Sequence, residues 1–229
     1  MLAAPLLPLA LIQSGWGIVV SAIIGALLIL AVVLFVSYRT TRPTTLLLVG
    51  IMFGQIAGSI VTILQNAADP DSLKLFIVWT FGSLSAVTWT FMMAMLPIVV
   101  IGLIIVVCLQ KQLNALLLGE NYARSLGVNI RIVRLLIVIS IALLAGATTA
   151  FTGPIAFIGI AVPHLVRMAF RTNDHAMTIP GSILVGASLL LVCDICSQMP
   201  ANGSILPINA ISSIIGAPII IWIILRNRD

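Results

Sequence analysis

Three ionisable side chains lie inside or at the edge of apolar segments, where charge is costly and usually marks function. Asp194 lies near the end of one such segment, and His164 and Arg167 lie near the end of another. Asp194 is expected to bond a neighbouring helix or loop, with substrate contact as the alternative. His164 follows Pro163, which leaves a carbonyl one turn earlier without its N–H partner. A local hydrogen bond is therefore expected of His164 rather than metal binding.

Other reactive groups lack the partners that catalysis needs. Cys193 and Cys196 have C-x-x-C spacing, but in an apolar helix two buried small residues are expected rather than a redox or metal pair. Ser83 and Ser85 have no evident histidine partner. The sequence contains neither H-E-x-x-H nor G-x-x-x-x-G-K-[ST], the motifs of membrane metalloproteases and of nucleotide-phosphate binding. The chain is therefore expected to be no enzyme and to bind no cofactor itself.

The elements that carry these residues are membrane helices. Of the 229 residues, 61% are hydrophobic and 7% are charged, whereas soluble domains carry about 25% charged residues. Continuous apolar runs of ~20 residues indicate helices that cross a bilayer, not the alternating strands of a membrane barrel. The net charge of +5 comes from basic residues at segment ends. They form no patch for nucleic acid.

The chain is predicted to be all-α, a single polytopic membrane domain over residues 1–229. It would have about seven transmembrane helices and an N-terminal partial helix over Met1–Ile12. Glycines at every fourth position over Gly50–Gly58 allow another helix to approach closely. Ala67–Thr88 is expected to lie at the membrane surface. The predicted spans are Trp16–Val36, Thr45–Asn66, Trp89–Leu109, Ile132–Thr152, Gly153–Phe170, Ile179–Met199 and Ile208–Leu225.

The path of the fifth segment is decided by charge. Pro163 is expected to interrupt this segment, which either spans the membrane or re-enters. If it spans, ten basic residues face one side and only Lys74 faces the other; if it re-enters, the split is six against five. The positive-inside rule favours the span and a cytoplasmic C-terminus. Pro180 and Pro207 are expected at the N-terminal ends of the last two spans, where a missing N–H costs little.

The longest polar interruption is Leu118–Arg134, in the middle of the chain. It indicates a cytoplasmic loop over about residues 110–131. A short helix within Gly119–Gly127 is predicted to be the docking point of a motor protein. Glu120 and Arg124, four residues apart, can pair with each other or with that partner.

Four motifs, in this order along the chain, extend the interpretation. Their residues are Gly119, Glu120, Ala123, Arg124, Leu126 and Gly127; Gly153, Pro154, Gly159, Pro163, His164 and Arg167; Asp194 after Gly186-Ala187; and Pro207, Gly216 and Pro218. From about Trp16 to the C-terminus, the chain resembles the FecCD-type permeases of ATP-binding-cassette (ABC) importers for iron–siderophore complexes, haem and cobalamin.

The resemblance implies a multi-pass permease in the bacterial cytoplasmic membrane. Its partners would be two ABC ATP-binding subunits that use ATP and Mg²⁺, a second permease copy or homologue, and an extracytoplasmic substrate-binding protein. Gly119–Gly127 would be the coupling helix, and Pro43, Thr44 and Thr45 would narrow the inner mouth of the pathway. FecCD-type permeases have about ten spans, so the chain is expected to be N-terminally shortened. Gln198 stands where they often carry arginine.

Two alternatives remain beside an ATP-driven importer. An ion-coupled secondary transporter usually carries several buried carboxylates, and only Asp194 is evident here. A truncated, non-transporting chain is the other. The residues do not specify which chelate is moved, or whether the permease pairs with itself or with a homologue.

Overall fold

The structure is a computed structural model that describes residues 15–39, 43–199 and 206–226. The predicted partial helix over Met1–Ile12 lies outside these ranges. All regular elements within them are α-helices. They are α1 (Gly15–Arg39), α2 (Pro43–Asn66), α3 (Pro70–Thr80), α4 (Trp89–Cys108), α5 (Gln110–Leu117), α6 (Glu120–Ser125), α7 (Ile130–Thr152), α8 (Ile158–Phe170), α9 (His175–Gln198) and α10 (Ile208–Arg226).

Seven apolar helical stretches coincide with the seven predicted spans. Backbone groups in lipid must be hydrogen-bonded internally, so each apolar run becomes a helix. The all-α, polytopic membrane fold is therefore confirmed. In the described part of the chain, the stretches long enough to cross a membrane are Leu47–Asn66, Trp89–Cys108, Ile130–Thr152 and His175–Gln198, and the shorter ones are Ser21–Val36, Ile158–Phe170 and Ile208–Ile223.

The fifth apolar segment is shorter than predicted. Residues 153–157 are not helical, and α8 has 13 residues, a length of about 20 Å. The expectation that Pro163 interrupts the segment was wrong, because Pro163 lies inside α8. A proline disturbs the carbonyl four residues before it. That carbonyl belongs to Gly159 in the first turn of α8, so the helix continues.

A proline within the first turns of a helix also explains why the predicted start of α9 was wrong. Pro180 was expected at the N-terminal end, but α9 begins at His175 and Pro180 lies inside it. The carbonyl that Pro180 affects is again in the first helical turn. Asp174 caps that turn by accepting a hydrogen bond from the N–H of Ala176 at 2.9 Å.

The helices fall into two compact units. The first contains α1, α2, most of α3, most of α4 and nearly all of α7; the second contains α5, α6, α8, α9 and α10 together with the segment after α3. The first unit is residues 1–78, 88–106 and 129–151, and the second is residues 79–87, 107–128 and 152–229.

In the first unit, α7 provides the close contacts. A Cβ on Gly146 would lie 3.2 Å from Cγ1 of Ile23 in α1, so glycine allows the two helices to approach. The rings of Phe91 and Phe151 stack with centroids 4.9 Å apart. A Cβ on any of the glycines over Gly50–Gly58 would meet no described atom within 4 Å, so the predicted close approach is not made within the described residues.

In the second unit, α8, α9 and α10 pack against one another. Gly181 of α9 marks the tightest crossing with α8. A Cβ there would lie 2.8 Å from Cγ1 of Val166 and 3.2 Å from the ring of Phe170. Val166 is fully buried, with an exposed fraction of 0%. This crossing therefore has no room for a methyl group.

We expect Gly181→Ala to lower the free energy of unfolding by about 1–3 kcal/mol, the usual cost of overpacking. Gly186→Ala, on the same helix, is the matched control, since its Cβ would lie 3.6 Å from Val162, an ordinary contact. Alanine also has the better helix propensity, so G186A should equal or exceed the wild type. Thermal unfolding of the detergent-solubilised protein measures both, and equal losses would contradict the prediction.

Candidate functional site

The polar interruption contains a short helix, α6, with a glycine at each end. Gly119 precedes α6 with φ 104° and Gly127 follows it with φ 80°, angles that residues other than glycine rarely adopt. The N–H of Gly127 donates to the carbonyl of Arg124 at 2.9 Å. The N–H of Val128 donates to the carbonyl of Ala123 at 3.0 Å. This is the Schellman arrangement, so the backbone itself closes the helix.

One side of α6 is buried and another exposes apolar side chains. Ala123 has an exposed fraction of 0%, and α6 packs on α5 in its own unit. Three apolar side chains in or directly beside α6 are exposed: Tyr122 within the helix at 49%, Leu126 at its C-terminal cap at 59%, and Leu118, which precedes Gly119, at 68%. We call these three residues the apolar stripe. Such a patch in a polar loop between membrane helices is typical of a protein contact.

Glu120 and Arg124 form an ion pair on the surface of α6. Their side chains are 42% and 66% exposed, and the closest N–O distance is 4.0 Å. Exposed pairs of this kind contribute little to stability. Both charges can therefore exchange this contact for one with a partner.

The loop also contains α5, a second short helix that the sequence pattern did not predict. Its Asn114 contacts the start of α9. The Asn114 Oδ1 accepts hydrogen bonds from the backbone N–H of His175 at 2.9 Å and from His175 Nδ1 at 2.6 Å. The Asn114 Nδ2 donates to Asp174 Oδ1 at 2.6 Å. We call Asn114, Asp174 and His175 the α5–α9 latch.

The latch completes the N-terminus of α9. The first N–H groups of a helix have no partner within it; here Asn114 accepts from His175, and Asp174 accepts from Ala176 at 2.9 Å. The hydrogen bond from the N–H of Ala176 is the largest cause that holds the pKa of the Asp174 carboxyl below its usual value, and the hydrogen bond from the Asn114 amide is the second largest. The cap is thus shared by two segments that are distant in sequence.

The Gly-Pro motif lies at a second meeting point, the glycine junction, formed by Gly82, Gly153 and Asn209. Gly82 and Gly153 have φ 71° and 75°. A Cβ on Gly153 would overlap the carbonyl oxygen of Trp79 and lie 3.0 Å from Cα of Gly82. The N–H of Ser83 donates to the carbonyl of Thr152 at 2.9 Å, which joins the two stretches of backbone.

Asn209 connects this junction to α10. Its N–H donates to the carbonyl of Phe81 at 3.2 Å, and its Oδ1 accepts from the N–H of Ala156 at 3.3 Å. Gly82 and Asn209 were not among the predicted site residues. Their positions in or beside non-helical segments, next to predicted motif residues, were the available signal.

Phe157 and Gly216 form the next contact between these motifs. Phe157 precedes α8 with φ 65°. A Cβ on Gly216 of α10 would lie 2.5 Å from Cβ of Phe157. The structure therefore brings the predicted residues Gly153, Pro154 and Gly216 into one region, where they set the path of the chain into α8 and α10.

His164 and Arg167 lie on α8. The His164 Nδ1 is 2.9 Å from the carbonyl oxygen of Ile160, one turn earlier, the kind of local hydrogen bond that was expected. His164 also lines a small apolar cavity with Ile160, Ile220 and Ile223. Arg167 is half-buried in the last turn of α8.

Asp194 is half-buried on α9. Its Oδ2 accepts a hydrogen bond from Gln198 Nε2 at 2.8 Å, one turn along the same helix. Gln198 therefore binds Asp194 directly. The roles of both residues remain predictions.

The remaining predicted residues lie within helices or directly before them. Pro43, Thr44 and Thr45 form the first turn of α2, where a proline costs little. Pro207 directly precedes α10, and Pro218 lies inside α10. The role of Pro43, Thr44 and Thr45 at the inner mouth of the pathway stays a prediction.

The fold and motifs define the class of protein: the chain belongs to the FecCD transport family, whose model matches residues 1–226. A solved structure described as an inward-facing conformation of a putative metal-chelate type ABC transporter superposes with a TM-score of 0.78. It is 26% identical, and the match covers 93% of this chain and 72% of that one.

Individual permeases are more similar in sequence. The vitamin B12 import system permease protein BtuC of Vibrio cholerae serotype O1 is 36% identical over 221 residues, which cover 95% of this chain and 66% of that protein. The hemin transport system permease protein HmuU of Yersinia pestis is 35% identical over 215 residues, with 92% and 63% covered. The chain thus spans somewhat less than two thirds of the length of these relatives.

Proposed function

We propose that this chain is the membrane-spanning permease subunit of an ABC importer for a metal chelate, of the iron–siderophore, haem or cobalamin class. The permease would lie in the bacterial cytoplasmic membrane with its C-terminus in the cytoplasm. It would pair with a second permease, sit on two ATP-binding subunits and receive substrate from an extracytoplasmic binding protein. ATP and Mg²⁺ would be used by the ATP-binding subunits, so the permease is a transporter component and no enzyme.

The observation that carries this proposal is the exposed apolar stripe on α6. The stripe lies on and directly beside a short helix with a glycine at each end, and Ala123 of that helix is 0% exposed. A rigid short helix with an open apolar face is suited to insertion in a groove of a partner. Docking there would cover Leu118, Tyr122 and Leu126 and allow Glu120 and Arg124 to bond across the interface. Family membership supports an ATP-binding subunit as that partner.

The named relatives support the substrate class. One is a vitamin B12 permease, one is a hemin permease, and the superposed structure is of the metal-chelate type. Each of these ligands is a metal held in a large organic shell. Because the organic shell neutralises the metal, the pathway can be lined by small and apolar residues, and this is compatible with the low content of charged residues, 7%.

Proteoliposomes that contain the permease, its ATP-binding subunits and its binding protein test the proposal. Three radiolabelled ligands are offered: a ferric siderophore, haemin and cobalamin. We expect uptake of one of them, and only when ATP is present on the side of the membrane where the ATP-binding subunits lie. An uncoupler should leave this uptake unchanged. Uptake that collapses with the uncoupler and ignores ATP would indicate a secondary transporter instead. A complex that moves none of the three with ATP would refute the proposed function.

A further inference from the structure

The coupling segment must act on a membrane helix if docking at α6 is to move substrate. α6 is joined to α5 by two residues, and the two helices pack on each other. α5 in turn packs on α9, and Asn114 makes the polar contact between them. This contact gives α6 a route to a spanning helix within the same unit.

We propose that Asn114 is a positioning residue, which transmits movement of the coupling segment to α9 through the α5–α9 latch. This inference rests on the proposed function. The bonds of Asn114 end on the backbone N–H of His175, on His175 Nδ1 and on Asp174 Oδ1, at 2.9, 2.6 and 2.6 Å. One of them holds the backbone of the first turn of α9, and the other two hold the side chains of the N-cap residue and of the first helical residue.

The cap that Asn114 contacts is rigidly part of α9. The Asp174 carbonyl accepts from the N–H of Thr178 at 2.9 Å and from Thr178 Oγ1 at 2.7 Å. Thr178 is buried, at 7% exposed. A displacement of α5 therefore shifts the N-terminus of α9 rather than a loose loop end.

Position 114 requires both a donor and an acceptor. The ionised Asp174 can only accept, whereas the backbone N–H of His175 can only donate, and a carboxamide satisfies both. His175 Nδ1 carries a proton in the imidazolium and in one neutral tautomer, and both forms keep this bond. An aspartate at 114 would instead face the Asp174 carboxylate at the distance of a hydrogen bond, where like charges repel.

The test therefore exchanges the donor and the acceptor between positions 114 and 174. In the complex reconstituted with its ATP-binding subunits and binding protein, Asn114→Asp should lower the ligand taken up per ATP hydrolysed about tenfold, because a hydrogen bond to a charged group is replaced by repulsion. ATP hydrolysis itself should stay within about twofold of the wild type. In the double variant N114D/D174N, the carboxamide at position 174 can donate to the carboxylate at position 114 and the repulsion is removed, so the uptake ratio should recover. The cap bond from the N–H of Ala176 does not re-form at the same atom, because Asp174 Oδ1 accepts both bonds in the wild type.

Asn173→Asp is the matched control, since it makes the same chemical change one residue before Asp174 at an exposed site. Its uptake ratio should equal that of the wild type. If N114D does not accumulate as folded protein, Asn114→Ala replaces it and should also lower the ratio, without the added charge.

Three results would overturn the inference. The first is a wild-type uptake ratio in N114D or N114A. The second is a parallel loss of uptake, ATP hydrolysis and thermal stability in N114D with no recovery in the double variant, which would make the latch a simple helix cap. The third is a wild-type complex without ATP-driven uptake, which would refute the proposed function as well; the first two leave that function intact.

Discussion

Replacement of Gly153 by alanine is expected to cost about 2–5 kcal/mol of folding free energy, the sum of two effects. A side chain at a left-handed backbone angle costs about 1–2 kcal/mol, and φ of Gly153 is 75°. Overpacking costs a further ~1–3 kcal/mol, because the new Cβ would overlap the carbonyl oxygen of Trp79. The obstacle is backbone, which cannot rotate away as a flexible side chain can.

For a chain of this size, such a loss corresponds to a fall in the melting temperature of about 4–20 °C, measurable by thermal unfolding in detergent. Gly159→Ala is the matched control, since no described atom lies within 4 Å of its Cβ position. It lies in the first turn of α8, where alanine is the better helix former. Equal melting temperatures for G153A and the wild type would contradict the geometry of the glycine junction.

Replacement of Leu126 by aspartate is expected to weaken binding of the proposed ATP-binding subunits. Leu126 is 59% exposed in the apolar stripe, and burial of a leucine at an interface is worth about 1.5–3 kcal/mol. Loss of that burial should weaken the complex by one to two orders of magnitude, since ~1.4 kcal/mol is tenfold in affinity. Uptake should fall accordingly. The amount of ATP-binding subunit that co-purifies with the permease measures the effect directly.

Asn121→Asp is the control for the added charge. Asn121 is exposed on α6, but its side chain is not part of the apolar stripe. N121D should keep most of the co-purifying subunit and most of the uptake. If N121D and Leu126→Asp have the same effect, charge rather than apolar contact controls docking. If neither variant changes the amount of bound subunit, α6 is not the docking element.

The sequence alone determined the membrane fold. Each apolar run must become a helix because a lipid environment supplies no partners for backbone groups, and all seven runs contain apolar helices in the structure. It also determined α6, because Gly119 and Gly127 bracket a polar stretch and glycine readily adopts the angles that end a helix. These properties depend on local composition and on backbone chemistry, which can be read along the chain.

Boundaries that depend on distant residues were not predictable in this way. The start of α9 was misplaced because Pro180 was taken as the boundary, although Asp174 is the local N-cap; the contribution of Asn114 to that cap, from 61 positions away, could not be read from the sequence. A proline near the start of a helix also looks like a boundary from the sequence, although it disturbs only the first turn. The second helix of the loop, α5, was missed because its polar residues carry no apolar period long enough to distinguish it from a solvated loop.

The contacts that organise the site were decided only by tertiary structure. Asn209 bonds Ala156 across 53 positions, and Gly153 lies against Trp79. A motif shows that a glycine or an asparagine is present, but it does not show which backbone group the residue meets. Hydrogen bonds and steric contacts act through space over a few ångströms, so residues far apart in the sequence become partners only when the helices that carry them have packed.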